Sequence, residues 1–383
     1  MTFKILSLDG GGIRGVLSAQ LLKQVETTIQ EKKGQKLHEY FDLVAGTSTG
    51  SILTAGIACQ MTVEEMIKIY LDHGKNIFLD SIRKQRKWRV VSQMVGSNVL
   101  YPHEDGEQGL AKILENQLIH KTLNRTPKIS EIVNPDILIP AYDVYSRNTT
   151  WFCNNHADRD NGFDSNAPAW YDHLELWKIC TASASAPTFF PPYELPYNAD
   201  KGLPHIDGGV SCNNPSLVAI AHALLTQKKN GLTLNDIAVL SIGTGNTSRP
   251  YEYEEVKEWG ALGWIQNLAN IFMNPAAKNS EDICLQILES SGGDNLRLNF
   301  DLNEQLEGER QPGRIRPVLK KPYNKYIAEV KNIQKEISED IDNPDNCDIL
   351  MEAAECYLDC GQTYYKEGWV PVREATQQFI ESH

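Results

Sequence analysis

The chain has 383 residues, 41% hydrophobic and 23% charged, enough apolar material for a sizeable core and more than one average domain needs. Its net charge of −13 argues against a basic surface that would hold nucleic acid. The eight cysteines are dispersed and form no CxxC pair, so reduced, partly buried thiols are expected rather than a metal knuckle or a redox motif.

Residues 3–8, FKILSL, form an apolar run of strand length that ends in the glycine cluster Gly10–Gly12. The opening residues enter this pattern directly, without the basic and apolar segments of a secretory leader. No run of about eighteen apolar residues occurs anywhere, so a cytoplasmic protein with at most peripheral membrane contact is the expectation. Residues 16–31 place Val16, Leu17, Leu21, Leu22, Val25 and Ile29 on one helical face. FDLVAG at 41–46 is a second strand, followed by a small-residue turn and a helix over 50–59. Strand, glycine turn and helix thus occur twice within sixty residues, the grammar of a mainly parallel sheet covered by helices.

Thr62 with Glu65 suggests a capping box opening a helix over 62–75. DILIPAY at 136–142 and DIAVLSI at 236–242 are buried-strand patterns, the second running into Gly243-Thr244-Gly245. Between them, 173–187 reads as a helix, and 187–206, with Pro187, Pro191, Pro192, Pro196 and Pro204, reads as an irregular connector. Residues 324–339 and 348–380 carry helical periodicity with many charges. The expected division is a catalytic α/β unit over 1–250 and a mostly helical extension over 251–383 packed on it.

Gly46-Thr47-Ser48-Thr49-Gly50 matches G-x-S-x-G between a strand and a helix, the setting in which a strained turn exposes a nucleophilic serine. The glycines let strand and helix approach, and the helix start turns its amides and positive dipole end toward the reacting oxygen. Asp9-Gly10-Gly11-Gly12-Ile13-Arg14-Gly15 also lies between a strand and a helix, where consecutive amides can cradle an anion. In an acyl hydrolase that cradle is the oxyanion hole. The same residues are a literal G-x-G-x-x-G, which a dinucleotide-binding oxidoreductase would use for a pyrophosphate. That reading wants an acidic residue at the end of the next strand, and here that strand delivers Ser48.

A serine hydroxyl needs a base. His222 lies in a helical run and His383 is the last residue, so neither resembles a catalytic loop histidine. Asp207, before Gly208 and Gly209, is the better base, its turn held in a conformation only glycine allows. Partial burial would raise its basicity. A histidine-dependent acid limb in the pH–rate curve would count against the pair, with His205 the first to test.

DGGGIRG at 9–15, GTSTG at 46–50 and DGG at 207–209 stand in the order seen in the patatin-like phospholipase family, which the chain closely resembles over roughly residues 3–250. YLDHGKNIF at 70–78 and TASASAPTFFPPY at 181–193 also look like plant and bacterial patatins. The resemblance implies a three-layer α/β sandwich with a mainly parallel central sheet. It further implies a metal- and cofactor-free Ser–Asp dyad cleaving acyl esters of phospholipids, galactolipids or lysolipids. On this footing Ser48 is the nucleophile and Asp207 its base. Gly11 and Gly12, with Gly10 and Gly15, form the oxyanion hole, Arg14 orients the loop or meets a lipid phosphate, and Gly46 and Gly50 flank the elbow. A lipid-binding or storage protein that keeps the site without using it is the non-enzymatic alternative.

Two segments bear on how a membrane lipid would be met. Arg83, Lys84, Arg86, Lys87 and Arg89 surround Trp88, as a headgroup contact or as a solvated helix face. Residues 259–272, with Trp259, Trp264 and Phe272, suit either an interfacial lid or core packing.

Overall fold

A computed structural model of the chain describes residues 2–88, 100–155, 169–246, 251–302, 318–319, 337–338, 340–366 and 368–383. Its centre is an eight-stranded sheet in the order β5-β6-β3-β2-β1-β7-β8, with β4 paired to β3 off that path. Strands β1 (Phe3–Leu8), β2 (Leu43–Gly46), β3 (Asp136–Asp143), β7 (Ile237–Ile242) and β8 (Asp294–Leu298) are parallel neighbours. Strands β4 (Asn148–Cys153), β5 (Tyr193–Asn198) and β6 (Lys201–Asp207) join antiparallel beyond β3.

The parallel strands read as continuous apolar runs because both faces are covered. Alternate residues enter opposite cores. Ile5, Ala45 and Val239 pack with Ala219, Ile220, Cys284 and Leu288 from helices Ser216–Thr226 and Ala261–Ser291. Leu6, Val44 and Leu240 pack on the other face, with Val16, Leu21, Ile52, Leu53 and Ile179. These come from helices Gly15–Lys33, Thr49–Ala58 and Leu176–Ser183. Helix, sheet and helix make the three layers. Helix Val63–Ile77 carries the expected capping box, with the Thr62 hydroxyl accepting from the Glu65 amide.

Several expectations are corrected by tertiary pairing. Residues 193–207 form the β5–β6 hairpin rather than an irregular connector. Pro196 is tolerated because β5 lies at the sheet edge, and Pro204 still serves the ladder through its carbonyl, which accepts the Val144 amide. The helix expected over 173–187 is shorter, Leu176–Ser183. The helix expected over 348–380 is broken. Helices Cys347–Cys360 and Val372–Ser382 pack on helix Gly15–Lys33, and between them β10 (Gly361–Tyr365) and β11 (Gly368–Pro371) form a hairpin joined by β9 (Val318–Leu319). The β-branched and aromatic Thr363, Tyr364, Tyr365, Trp369 and Val370 favour a pleated ribbon there over a helix. The helix expected over 324–339 lies, but for residues 337 and 338, outside the described residues. The boundary expected at residue 250 does not coincide with an edge of the sheet, since β8 lies beyond it and is hydrogen-bonded to β7. No disulfide joins the eight cysteines.

Candidate active site

The register of β3 brings together the two side chains that the motifs single out, Ser48 and Asp207. β2 pairs with the first half of β3, ending Ala45 opposite Leu138, while β6 pairs antiparallel with the second half, placing Asp207 opposite Ala141. The two strands therefore point at each other along one side of β3. Three residues past Ala45, the chain reaches Ser48 at the level of Asp207. The Ser48 hydroxyl donates to Asp207 Oδ2 at 2.6 Å.

Ser48 sits in a turn that side chains rarely adopt, with φ 54° and ψ −121°. A non-glycine residue in such a region costs about 1–3 kcal/mol and persists only where its surroundings enforce it. The enforcing contacts are visible. The Thr47 amide donates to Leu8 O (3.1 Å), the Ser48 amide to Ser183 Oγ (3.0 Å), and the Gly50 amide to Thr47 O (2.7 Å). Gly46 and Gly50 close the turn, for a Cβ on Gly46 would stand 2.1 Å from Gly50 O and one on Gly50 2.2 Å from Leu8 O. Helix Thr49–Ala58 begins directly after the serine.

Asp207 is buried, its Oδ1 accepting the Gly209 amide at 2.7 Å and its own amide donating to Ser185 O at 3.0 Å. Burial pushes its carboxyl up to about 6, partly offset by the hydrogen bonds from Ser48 and Gly209. The turn after it is not the glycine-only conformation expected. Gly208 has φ −61°, which any residue adopts. What excludes a side chain is space, because a Cβ there would lie 2.2 Å from Pro140 O on β3.

The glycine loop packs against the serine, a Cβ on Gly10 falling 3.2 Å from Ser48 Cβ. Its amides divide into two groups. Gly10 donates to Asn213 O (3.0 Å), Ile13 to Ile341 O (2.8 Å), and Gly15 closes on Gly12 and Ile13 carbonyls. Among the described residues, the Gly11 and Gly12 amides make no hydrogen bond. Gly12 lies at φ +59° with Ile341 O where its Cβ would be, at 2.4 Å, and Thr244 fills the space beside Gly11. Arg14 is buried, with 8% of its surface exposed.

No histidine is hydrogen-bonded to Ser48 among the described residues. His205 Nδ1 faces Leu203 O and Nε2 faces Thr150 Oγ1, while His383 pairs with Asp294. Arg83 is committed to Asp80 (2.6 Å) and Asp345 (3.0 Å) on helix Asp80–Trp88, so it is not a solvated cation. Lys84 is exposed, whereas the side chains of residues 86–88, and Arg89 itself, lie outside the described residues. Trp264 is 45% exposed on helix Ala261–Ser291 and meets Trp259 edge-on, with Tyr251 beyond; the Phe272 side chain lies outside the described residues. Among the described residues, no helix is long and apolar enough to cross a membrane, and no group of three His, Cys, Asp or Glu could hold a metal ion.

Sequence reading missed the residues that fix the two turns from afar: Ser183 at the serine, and Asn213, Thr244 and Ile341 at the glycine loop. Only Thr244 carried a local signal, as the centre of a glycine turn at a strand end.

A family model described as patatin-like phospholipase matches residues 6–220. Patatin-like protein 1 of Arabidopsis thaliana is 31% identical over 288 residues, 68% of this chain and 64% of that protein. Probable inactive patatin-3-Kuras 1 of Solanum tuberosum is 27% identical over 292 residues, 69% of each chain. The chain thus spans under two thirds of the length of the Arabidopsis relative. Human GIVD cytosolic phospholipase A2 superposes with a TM-score of 0.43 at 13% identity, covering 100% of this chain and 60% of that one.

Proposed function

Because the chain belongs to the patatin-like phospholipase family, we propose that it is a lipid acyl hydrolase that cleaves acyl esters of membrane lipids through a Ser48–Asp207 dyad. The observation that carries the reading is the 2.6 Å hydrogen bond between a strained serine hydroxyl and a buried carboxylate. Asp207 Oδ2 takes the hydroxyl proton as Ser48 Oγ bonds to the ester carbonyl carbon. The carbonyl oxygen becomes an oxyanion, for which the Gly11 and Gly12 amides are the donors. Collapse of that intermediate breaks the bond to the leaving alkoxide, which takes the proton from Asp207 and departs as a lysolipid or glycerol-type alcohol. Water then attacks the acyl-serine and gives its proton to Asp207; collapse of this second intermediate breaks the bond to Ser48 Oγ, which takes that proton back from Asp207 as the fatty acid leaves. Gly209 N–H on Oδ1 keeps Oδ2 turned toward the serine throughout.

The nucleotide reading of the glycine loop loses its footing, since the Gly10 and Ile13 amides are already spent on Asn213 and Ile341 carbonyls. Of the oxyanion residues expected from sequence, Gly10 and Gly15 therefore act as struts, and Gly11 and Gly12 as donors.

Two experiments test this. Incubation with vesicles of mixed glycerophospholipids, read by mass spectrometry, should give free fatty acid at the expense of the diacyl lipids, with a fluorophosphonate probe attached to the Ser48 peptide. Intact lipids and an unlabelled Ser48 would overturn the proposal. Gly12→Ala keeps the amide but drives a Cβ to within 2.4 Å of Ile341 O, so the donor is displaced and kcat should fall by up to about 10²–10³, the range for loss of an oxyanion donor. An unchanged kcat in a folded Gly12→Ala protein would remove the loop from the chemistry.

A further inference from the structure

Asp9 is the last residue of the chain before the glycine turn, and its carboxylate is buried at the end of β1. Arg297 on β8 grips it with two parallel bonds, Nη1 to Oδ1 at 3.0 Å and Nη2 to Oδ2 at 2.5 Å. The same guanidinium donates from Nη1 to Ser241 Oγ at 2.7 Å and stands 3.3 Å from Glu281 through Nε. From Ser241 the contacts continue to Ser216 Oγ (3.1 Å), whose amide donates to Asn214 Oδ1 (2.9 Å). Next to Asn214, the Asn213 carbonyl takes the Gly10 amide. The loop is thus held on both sides of its first glycine. One hold is its own carboxylate. The other is a segment that begins six residues after the catalytic aspartate.

We infer that Arg297, which lies beyond the residues matched by the family model, is a positioning residue that aims the Gly11 and Gly12 amides by fixing Asp9 from behind. A buried ion pair is a weak source of stability, since well-packed apolar residues do as well or better. Its place directly behind the glycine turn points to geometry as its use. The planar fork matters, because a lysine supplies the charge at one point and cannot hold both carboxylate oxygens in one plane. Displacing a catalytic group by about 1 Å costs on the order of 10²-fold in rate, so a small rotation of Asp9 reaches the chemistry.

The inference rests on the acyl-hydrolase reading, so wild type and Ser48→Ala are compared first on a soluble p-nitrophenyl acyl ester. A wild type no faster than Ser48→Ala would sink that reading itself. With wild type active, Arg297→Lys, which keeps the buried charge, is expected to lower kcat about tenfold with KM within about twofold. The rate of inactivation by a fluorophosphonate, which passes through the same oxyanion, should fall in parallel. Asp9→Asn combined with Arg297→Lys should lose little more than the worse single variant, as residues acting through one contact do. An Arg297→Lys protein with near-wild-type kcat, a change confined to KM, or strictly additive losses in the double variant would each overturn the inference. Should Arg297→Lys fail to fold, Asp9→Asn alone decides it by the same kcat and inactivation rates.

Discussion

Replacing Asp207 by asparagine is expected to lower kcat by at least about 10⁴ while leaving KM near its original value, the scale seen when a catalytic triad loses its carboxylate. Asparagine can keep both local contacts, accepting from the Gly209 amide and facing Ser48 Oγ, so the geometry survives and only the proton acceptor is lost. The wild-type pH profile should carry the matching signature. Below the carboxyl's raised pKa of about 6 the base is protonated, so kcat/KM should climb as pH rises through about 6 and level off above it. His205 faces Leu203 and Thr150 rather than the serine, so this limb should persist in a His205→Gln protein. A limb that vanished with His205 would hand the base role to a histidine.

The same substitution has an opposite effect on stability. Asp207 has a higher pKa in the fold than its ordinary 3.8, so the folded state favours the protonated acid. Its contribution is fully present below about pH 3.8 and is lost as pH rises through about 6, a difference of up to about 3 kcal/mol. Asparagine carries no charge to bury, so the variant should melt a few degrees above wild type at about pH 8 and lose that advantage near pH 4. The buried carboxylate that costs the fold stability at neutral pH is the one the proposed chemistry requires.

What was legible in the sequence follows the range of the interactions. Ser48, the glycine loop and Asp207 announce themselves because each occupies the end of a strand, where close approach demands small residues and leaves a local pattern. The parallel strands β1, β2, β3 and β7 were readable for a related reason: burial on both faces makes each a mostly apolar run. β8 was not, because DNLRL places a charged arginine inside it, and that arginine is satisfied by Asp9, far away in sequence, together with Ser241 and Glu281. The β5–β6 hairpin was hidden by its prolines, which signal irregularity until an edge position excuses them. The hairpin matters more than its modest size suggests, since its second strand carries Asp207 head-on toward β2. Motifs named both members of the proposed dyad, but their meeting depends on the register of β3, which pairing decides.

Ser48→Ala is expected to have the largest effect of all, lowering kcat by about 10⁵–10⁶ toward the residual rate that binding and oxyanion donors alone sustain. Lipid binding should be retained, because the loop is held by Asn213, Ile341 and Arg297 rather than by the serine side chain. Fluorophosphonate labelling should disappear with the hydroxyl. The backbone supplies a second, independent sign that the position is built for reactivity. At φ 54° alanine inherits the strain of serine, whereas glycine relieves it, so Ser48→Gly should melt above Ser48→Ala although both are inactive. If hydrolysis persisted in both variants, the nucleophile would have to lie elsewhere, and the strained turn would be left with no chemistry to justify its cost.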